Sequence, residues 1–201
     1  MMQVREKTKE EITAKLSTMK TPLTRMDYLE SIMKSDFPYD VQRLIFDELA
    51  KAYEERIMYD KAARVFSMKG GIEVTQNKKV EAYLRAAELF AKAWKIEEIE
   101  AMYVRALREA ETNEKKREIK LAIKNIFLVN ASELEKKQKR SGALKFYEKL
   151  MKIDLDESEK SQVKEKLIAI YKSLGKFREV AMLQGKGSTS TSENDKNYLG
   201  L

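Results

Sequence analysis

The chain of 201 residues contains no cysteine and no histidine. That removes disulfides, thiolate nucleophiles, Cys/His metal sites and the usual general base at neutral pH. Only lysine, tyrosine and carboxylates remain for acid–base work, which argues against catalysis. Carboxylate-only sites for Mg²⁺ or Ca²⁺ stay open in principle, but no D-x-[DN]-x-[DN]-G loop is present. Two prolines and seven glycines are too few for an all-β chain built on tight turns. No apolar run approaches the roughly 18 residues of a spanning helix. The first residues, MMQVREKTKEE, lack the apolar stretch of a signal peptide. These absences lead to the expectation of a soluble, cytoplasmic protein without cofactor or membrane contact.

What is present favours helices. Lys, Glu, Ala and Leu dominate, all strong helix formers, and apolar residues at 43% are enough for a core. The expected fold class is all-α. Charged residues reach 36%, a composition that also suits a thermophile. The excess of 40 basic over 33 acidic residues is modest, and i,i+4 partners should neutralise much of it.

Start and stop signals divide the chain. Thr8-Lys-Glu-Glu11 has capping-box spacing, yet the stripe behind it is thin (Ile12, Leu16, Met19), so residues 1–20 read as a frayed helix or docking arm. Thr21-Pro22 opens a cleaner helix. Pro38 opens another, which runs through Tyr53 to a turn near Arg56–Met58. Gly70-Gly71 is expected to stop the helix after that turn, in a left-handed cap. Further turns are expected at Trp94-Lys95, at a basic segment from Gln138 to Gly142, and at Gly175, with caps at Thr112-Asn113 and Asp156. Residues 21–185 form the expected helical domain. Residues 186–201, polar and small, are expected to be disordered. Gly185-Lys186-Gly187-Ser188 lacks the spacing of a phosphate loop.

The stretch Leu49–Phe66 sets the pattern for the rest. Ala50, Ala62 and Ala63 are small residues where two helices can cross closely, with Tyr53, Tyr59 and Phe66 as rings beside them. Similar blocks recur: Tyr83, Ala86-Ala87, Phe90, Ile96, Ile99, Tyr103 and Ala106; then Phe127, Ala131, Leu134, Ala143, Tyr147 and Leu150; then Leu167, Tyr171, Gly175, Phe177 and Val180. With these residues the chain resembles the tetratricopeptide (TPR) family, a helix–turn–helix repeat of about 34 residues. The likeness covers roughly 140 of the 201 residues. It departs from the family where Ile99 and Val180 replace a small alanine, and no block ends in proline. The steps from Ala62 to Ile99, Ala143 and Val180 are 37, 44 and 37 residues. The remaining aromatics, Trp94 included, read as packing residues.

The resemblance implies a TPR-like superhelix whose first helices line a concave groove for a peptide or partner protein. It would place Asp47, Lys51, Arg85, Glu88, Lys92, Asn125, Leu128, Ser132, Lys166 and Ala169 along that groove. Asp47, Glu48 and Glu88 put acid where the family's carboxylate clamp needs base or amide, so a strongly acidic peptide is not the expected ligand. Self-association through the end repeats also stays open. The alternative is nucleic acid, bound by Lys115, Lys116, Arg117, Lys120, Lys124, Lys136, Lys137, Lys139 and Arg140. These nine cations stand among four glutamates, and phosphate contacts there would be salt-sensitive.

Overall fold

The computed structural model describes residues 6–153 and 155–185, and the tail expected to be disordered lies outside them. Among the described residues there are ten α-helices and no strand. They run as α1 (Lys9–Thr18), α2 (Pro22–Ile32), α3 (Tyr39–Glu55), α4 (Tyr59–Ile72), α5 (Gln76–Lys92), α6 (Ile96–Arg108), α7 (Asn113–Lys136), α8 (Arg140–Leu150), α9 (Glu157–Ser173) and α10 (Phe177–Leu183). The chain divides into two compact units, 1–130 and 131–201, with the boundary inside α7.

Several helices begin where side chains satisfy otherwise orphaned backbone N–H groups. Thr8 and Glu11 form a reciprocal capping box at α1, and Asp156 and Glu159 form another at α9. Thr21 accepts from the Thr24 N–H, with Pro22 in the first turn of α2. Thr112 Oγ1 accepts from the Lys115 N–H at 3.1 Å to start α7.

In the first unit the core lies between α3, α4 and α5, with α2 and α6 against its flanks. Ala50, Ala62 and Ala63 are almost wholly buried, as close crossing requires, and Leu49 is fully enclosed between them. Ala86, Ala87 and Ala91 give α5 the same low profile, so it packs on α4 and α6 at once. The thin stripe of α1 docks: Ile12 is completely buried, and Lys9 pairs with Asp40 of α3 at 3.2 Å. In the second unit Leu134, Leu144, Phe146, Leu150, Leu167 and Ile170 make the core.

One turn recurs four times. Ile57, Trp94, Gln138 and Gly175 are left-handed, with φ of 60°, 60°, 56° and 71°. In each case the next residue donates its N–H to the carbonyl five residues back: Met58 to Tyr53, Lys95 to Phe90, Lys139 to Leu134 and Lys176 to Tyr171, at 2.8–2.9 Å. This is the Schellman closure of a helix end. The four left-handed residues are 37, 44 and 37 positions apart, so each turn joins two helices in the same register.

Only the last of the four uses glycine. A β-branched residue at positive φ is an outlier that costs about 1–2 kcal/mol. Ile57→Gly removes that strain, partly offset by glycine's greater freedom when unfolded. The expected gain is about 0.5–1 kcal/mol, measured by urea unfolding; a loss of stability would contradict it.

The Gly70-Gly71 expectation needs correcting. Both glycines lie inside α4, which continues to Ile72, and neither has a positive φ. Gly70 serves close approach instead: a Cβ there would lie 2.6 Å from Cε1 of Tyr83. The basic turn is likewise shorter than expected, because α8 begins at Arg140. Gly142 is helical, and a Cβ there would meet Leu134 at 3.2 Å. Trp94, expected to be enclosed by packing, sits half-exposed on its turn, and Phe177 is 68% exposed.

Three core tyrosines end in carboxylates: Tyr53 donates to Glu30, Tyr147 to Glu135 at 2.8 Å and Tyr171 to Glu148 at 2.7 Å. Burial first, then the acceptor carboxylate, raises all three phenols above the ordinary value. Unfolded phenols ionise near pH 10 while the folded ones keep their protons. The native state therefore binds more protons above about pH 10, and stability falls with pH there. Thermal melts between pH 8 and 11 should show a shallower alkaline loss for Tyr53→Phe with Tyr171→Phe than for the parent; equal slopes would contradict this origin.

Candidate partner-binding cleft

A cleft of about 230 Å³ opens in the first unit between α3, α4 and α5, lined by Arg43, Phe66, Lys69, Glu73, Lys78, Glu81, Ala82 and Arg85. Residues 66 and 69 share one face of α4, and Glu73, the C-cap of that helix, follows four residues after Lys69 on the same side. Residues 78, 81, 82 and 85 do the same on α5.

Phe66 is the half-buried wall on which two cations rest. Lys69 Nζ and the Arg85 guanidinium each lie 5.9 Å from its ring centroid. Lys69 pairs with Asp47. Arg85 Nη2 donates to Glu54 at 2.7 Å and Nη1 donates to Glu88 at 2.8 Å. Burial opposes the charge on Arg85, but its two carboxylates outweigh that and hold the guanidinium above its ordinary pKa. Arg85 is thus fixed in place before any ligand arrives.

At the inner end of the cleft lies Glu73, whose side chain is 2% exposed. Its carboxylate accepts from the Tyr39 hydroxyl and stands 3.1 Å from Arg43 Nε, an ion pair without hydrogen-bond alignment at that nitrogen. The hydrogen bond to Glu73 raises the Tyr39 phenol above its ordinary value, and the Arg43 guanidinium lies 5.8 Å over the Tyr39 ring. Lys78 has no ion-pair partner among the described residues, so it is the cation left for a ligand. No group of three or more acidic side chains able to hold a metal ion occurs among the described residues.

The volume is below the roughly 300–1,000 Å³ of small-molecule pockets. It fits one or two side chains of a longer ligand. The lining mixes both signs of charge around an aromatic face and carries no nucleophile–base pair.

Of the residues expected along a groove, Arg85 lines this cleft, while Asp47 and Glu88 pair with Lys69 and Arg85, the cations on Phe66. Lys51 is exposed on α3. Lys92 is exposed away from the cleft, its Nζ 5.3 Å over the Tyr59 ring. Asn125 is exposed and Leu128 half-buried on α7; Ser132, half-buried, belongs to the second unit. So do exposed Ala169 and Lys166, which pairs with Glu135 at 3.3 Å. Arg43, Lys69, Glu73 and Lys78 were missed. Reading Gly70-Gly71 as a stop hid that α4 runs on to Ile72 and brings its C-cap Glu73 to the side of Lys69.

The basic candidates fall in both units. Lys115 pairs with Glu118 at 2.8 Å, Lys116 and Arg117 are exposed, and Lys120 and Lys124 are half-buried. Lys136, Lys137, Lys139 and Arg140 are exposed in the second unit; Lys137 stands 3.5 Å from Glu133, and Arg140 donates to Gln138 at 3.3 Å. No helix among the described residues is long and apolar enough to cross a membrane.

No family model matches the chain, and no curated protein matches it. Among solved structures it is similar to BtubC (BKLC) from P. vanneervenii, at 16% identity, with 96% of this chain and 85% of that chain covered and a TM-score of 0.38. A likeness of that size carries no argument about fold or function.

Proposed function

We propose that the chain is a TPR-like helical-repeat protein acting in the cytoplasm as a non-enzymatic adaptor, and that it holds a segment of a partner protein in the α3–α4–α5 cleft. The recurrence of one left-handed turn at spacings of 37, 44 and 37 residues carries the repeat reading. Helix pairs of that kind form a stiff support, and a stiff support keeps Phe66 and Arg85 aimed at solvent without any ordering cost on binding. The ligand this lining suits is a peptide with an apolar or aromatic side chain against Phe66 and a carboxylate near Lys78.

Affinity capture from lysate, with and without nuclease and at two salt concentrations, tests it. A protein partner retained through nuclease and raised salt, and lost with Arg85→Glu, is the expected result. Recovery that collapses on nuclease treatment would overturn the adaptor reading in favour of nucleic acid.

A further inference from the structure

A second concave surface, of about 430 Å³, lies in the first unit at the turns rather than on the helix faces; Ile57, Met58, Tyr59, Asp60, Lys61, Lys92 and Ala93 line it. Its walls are largely apolar: Ile57 is 72% exposed, and Met58, the Tyr59 ring and Ala93 complete them. Both Ile57 and Trp94 occupy left-handed backbone at φ of 60°. Gly175, at the equivalent place in the last turn, shows that the closure needs no side chain. Ile57 therefore adds backbone strain and wet apolar surface where glycine would add neither. A large strained residue left in water, as Ile57 is, needs an explanation outside folding, and the concavity it lines provides one.

Charge narrows the occupant. Asp60, the one acid in the lining, is held by Arg64 at 3.1 Å. Lys92 covers the Tyr59 ring and has no carboxylate partner among the described residues. Lys61 lies 3.5 Å from Glu30 and remains half-exposed. With Asp60 and Lys61 each paired, Lys92 is the cation left at the rim among the described lining residues, and an apolar hollow edged by that ammonium is complementary to an apolar side chain next to a carboxylate. We propose that the Ile57–Lys61 and Lys92–Trp94 turns form a second docking surface, which takes an acidic segment of a partner protein through one large apolar side chain. The site is separate from the α3–α4–α5 cleft and does not depend on it.

The test uses the full chain, with random dodecapeptides on a display library as the probe. Enriched peptides should carry Leu, Ile or Phe flanked by Asp or Glu, and should shift the emission of Trp94, the single tryptophan. Their affinity should fall about tenfold on Ile57→Gly, while the same variant melts about 2 °C higher than the parent, so that lost binding cannot be lost folding. Peptides that bind Ile57→Gly as well as the parent would overturn the proposal. So would peptides lost only on Arg85→Glu, which belong to the cleft, or a library that yields no acidic apolar motif. A dimer in sedimentation that Ile57→Gly dissolves would assign the surface to a second copy and also overturn it.

Discussion

Arg43→Met lowers the stability of the protein by about 2–4 kcal/mol, an effect concentrated on a partner the substitution does not touch. Glu73 is buried, and among the described residues its carboxylate pairs with Arg43 and accepts from Tyr39. Removing the guanidinium leaves a negative charge out of water with one phenol hydroxyl against it, and desolvation is no longer offset. The loss stays below the full cost of a deeply buried pair because the Arg43 side chain is itself 34% exposed. Replacing both partners, Arg43→Met with Glu73→Leu, should recover most of it, since no unpaired charge remains. Chemical denaturation of the single and double variants checks both statements. A double variant no better than Arg43→Met would show that the pair matters for something other than charge.

Gly70→Val costs about 2–3 kcal/mol, the range for overpacking a well-filled core. The new side chain would begin 2.6 Å from Cε1 and 2.8 Å from Cδ1 of Tyr83. That ring is buried between α4 and α5, so it has little room to retreat. The neighbouring glycine supplies the control. A Cβ at Gly71 meets nothing within 4 Å, and Gly71→Ala should stabilise by about 0.5 kcal/mol through helix propensity and a stiffer unfolded chain. Adding Tyr83→Leu to Gly70→Val should restore part of the loss, a coupling that a double-mutant cycle reads directly. Equal effects at positions 70 and 71 would contradict this packing.

Why two adjacent glycines differ so much could not be read from their sequence. Glycine at a left-handed cap and glycine at a helix crossing look alike until the facing ring is known, and Tyr83 comes from the next helix. The same limit hid the cleft. Lys69 and the C-cap Glu73 come to one side of α4 only once the helix is seen to pass through Gly70-Gly71. Trp94 misled for a different reason: its apolar bulk suggests burial, but its place in the turn is dictated by the Schellman closure. Local signals were legible. Thr21-Pro22, Thr112, Asp156 and Gly175 marked boundaries because a cap acts within three residues of itself. The step of 37, 44 and 37 residues, found from Ala62, Ile99, Ala143 and Val180, returns in the left-handed turns, each of which lies five residues earlier. Asp47, Arg85 and Glu88 were read as groove positions because they are polar positions on faces opposite a clear apolar stripe; of the three, Arg85 lines the cleft.

The most direct measurement places a photo-cross-linking amino acid at Glu81, which lines the cleft, and separately at Val104, an exposed residue of α6. The adaptor reading predicts a discrete protein adduct from position 81 that survives nuclease and raised salt, is absent from position 104, and disappears with Arg85→Glu. Adducts that require nucleic acid, or the same pattern from both positions, would contradict it.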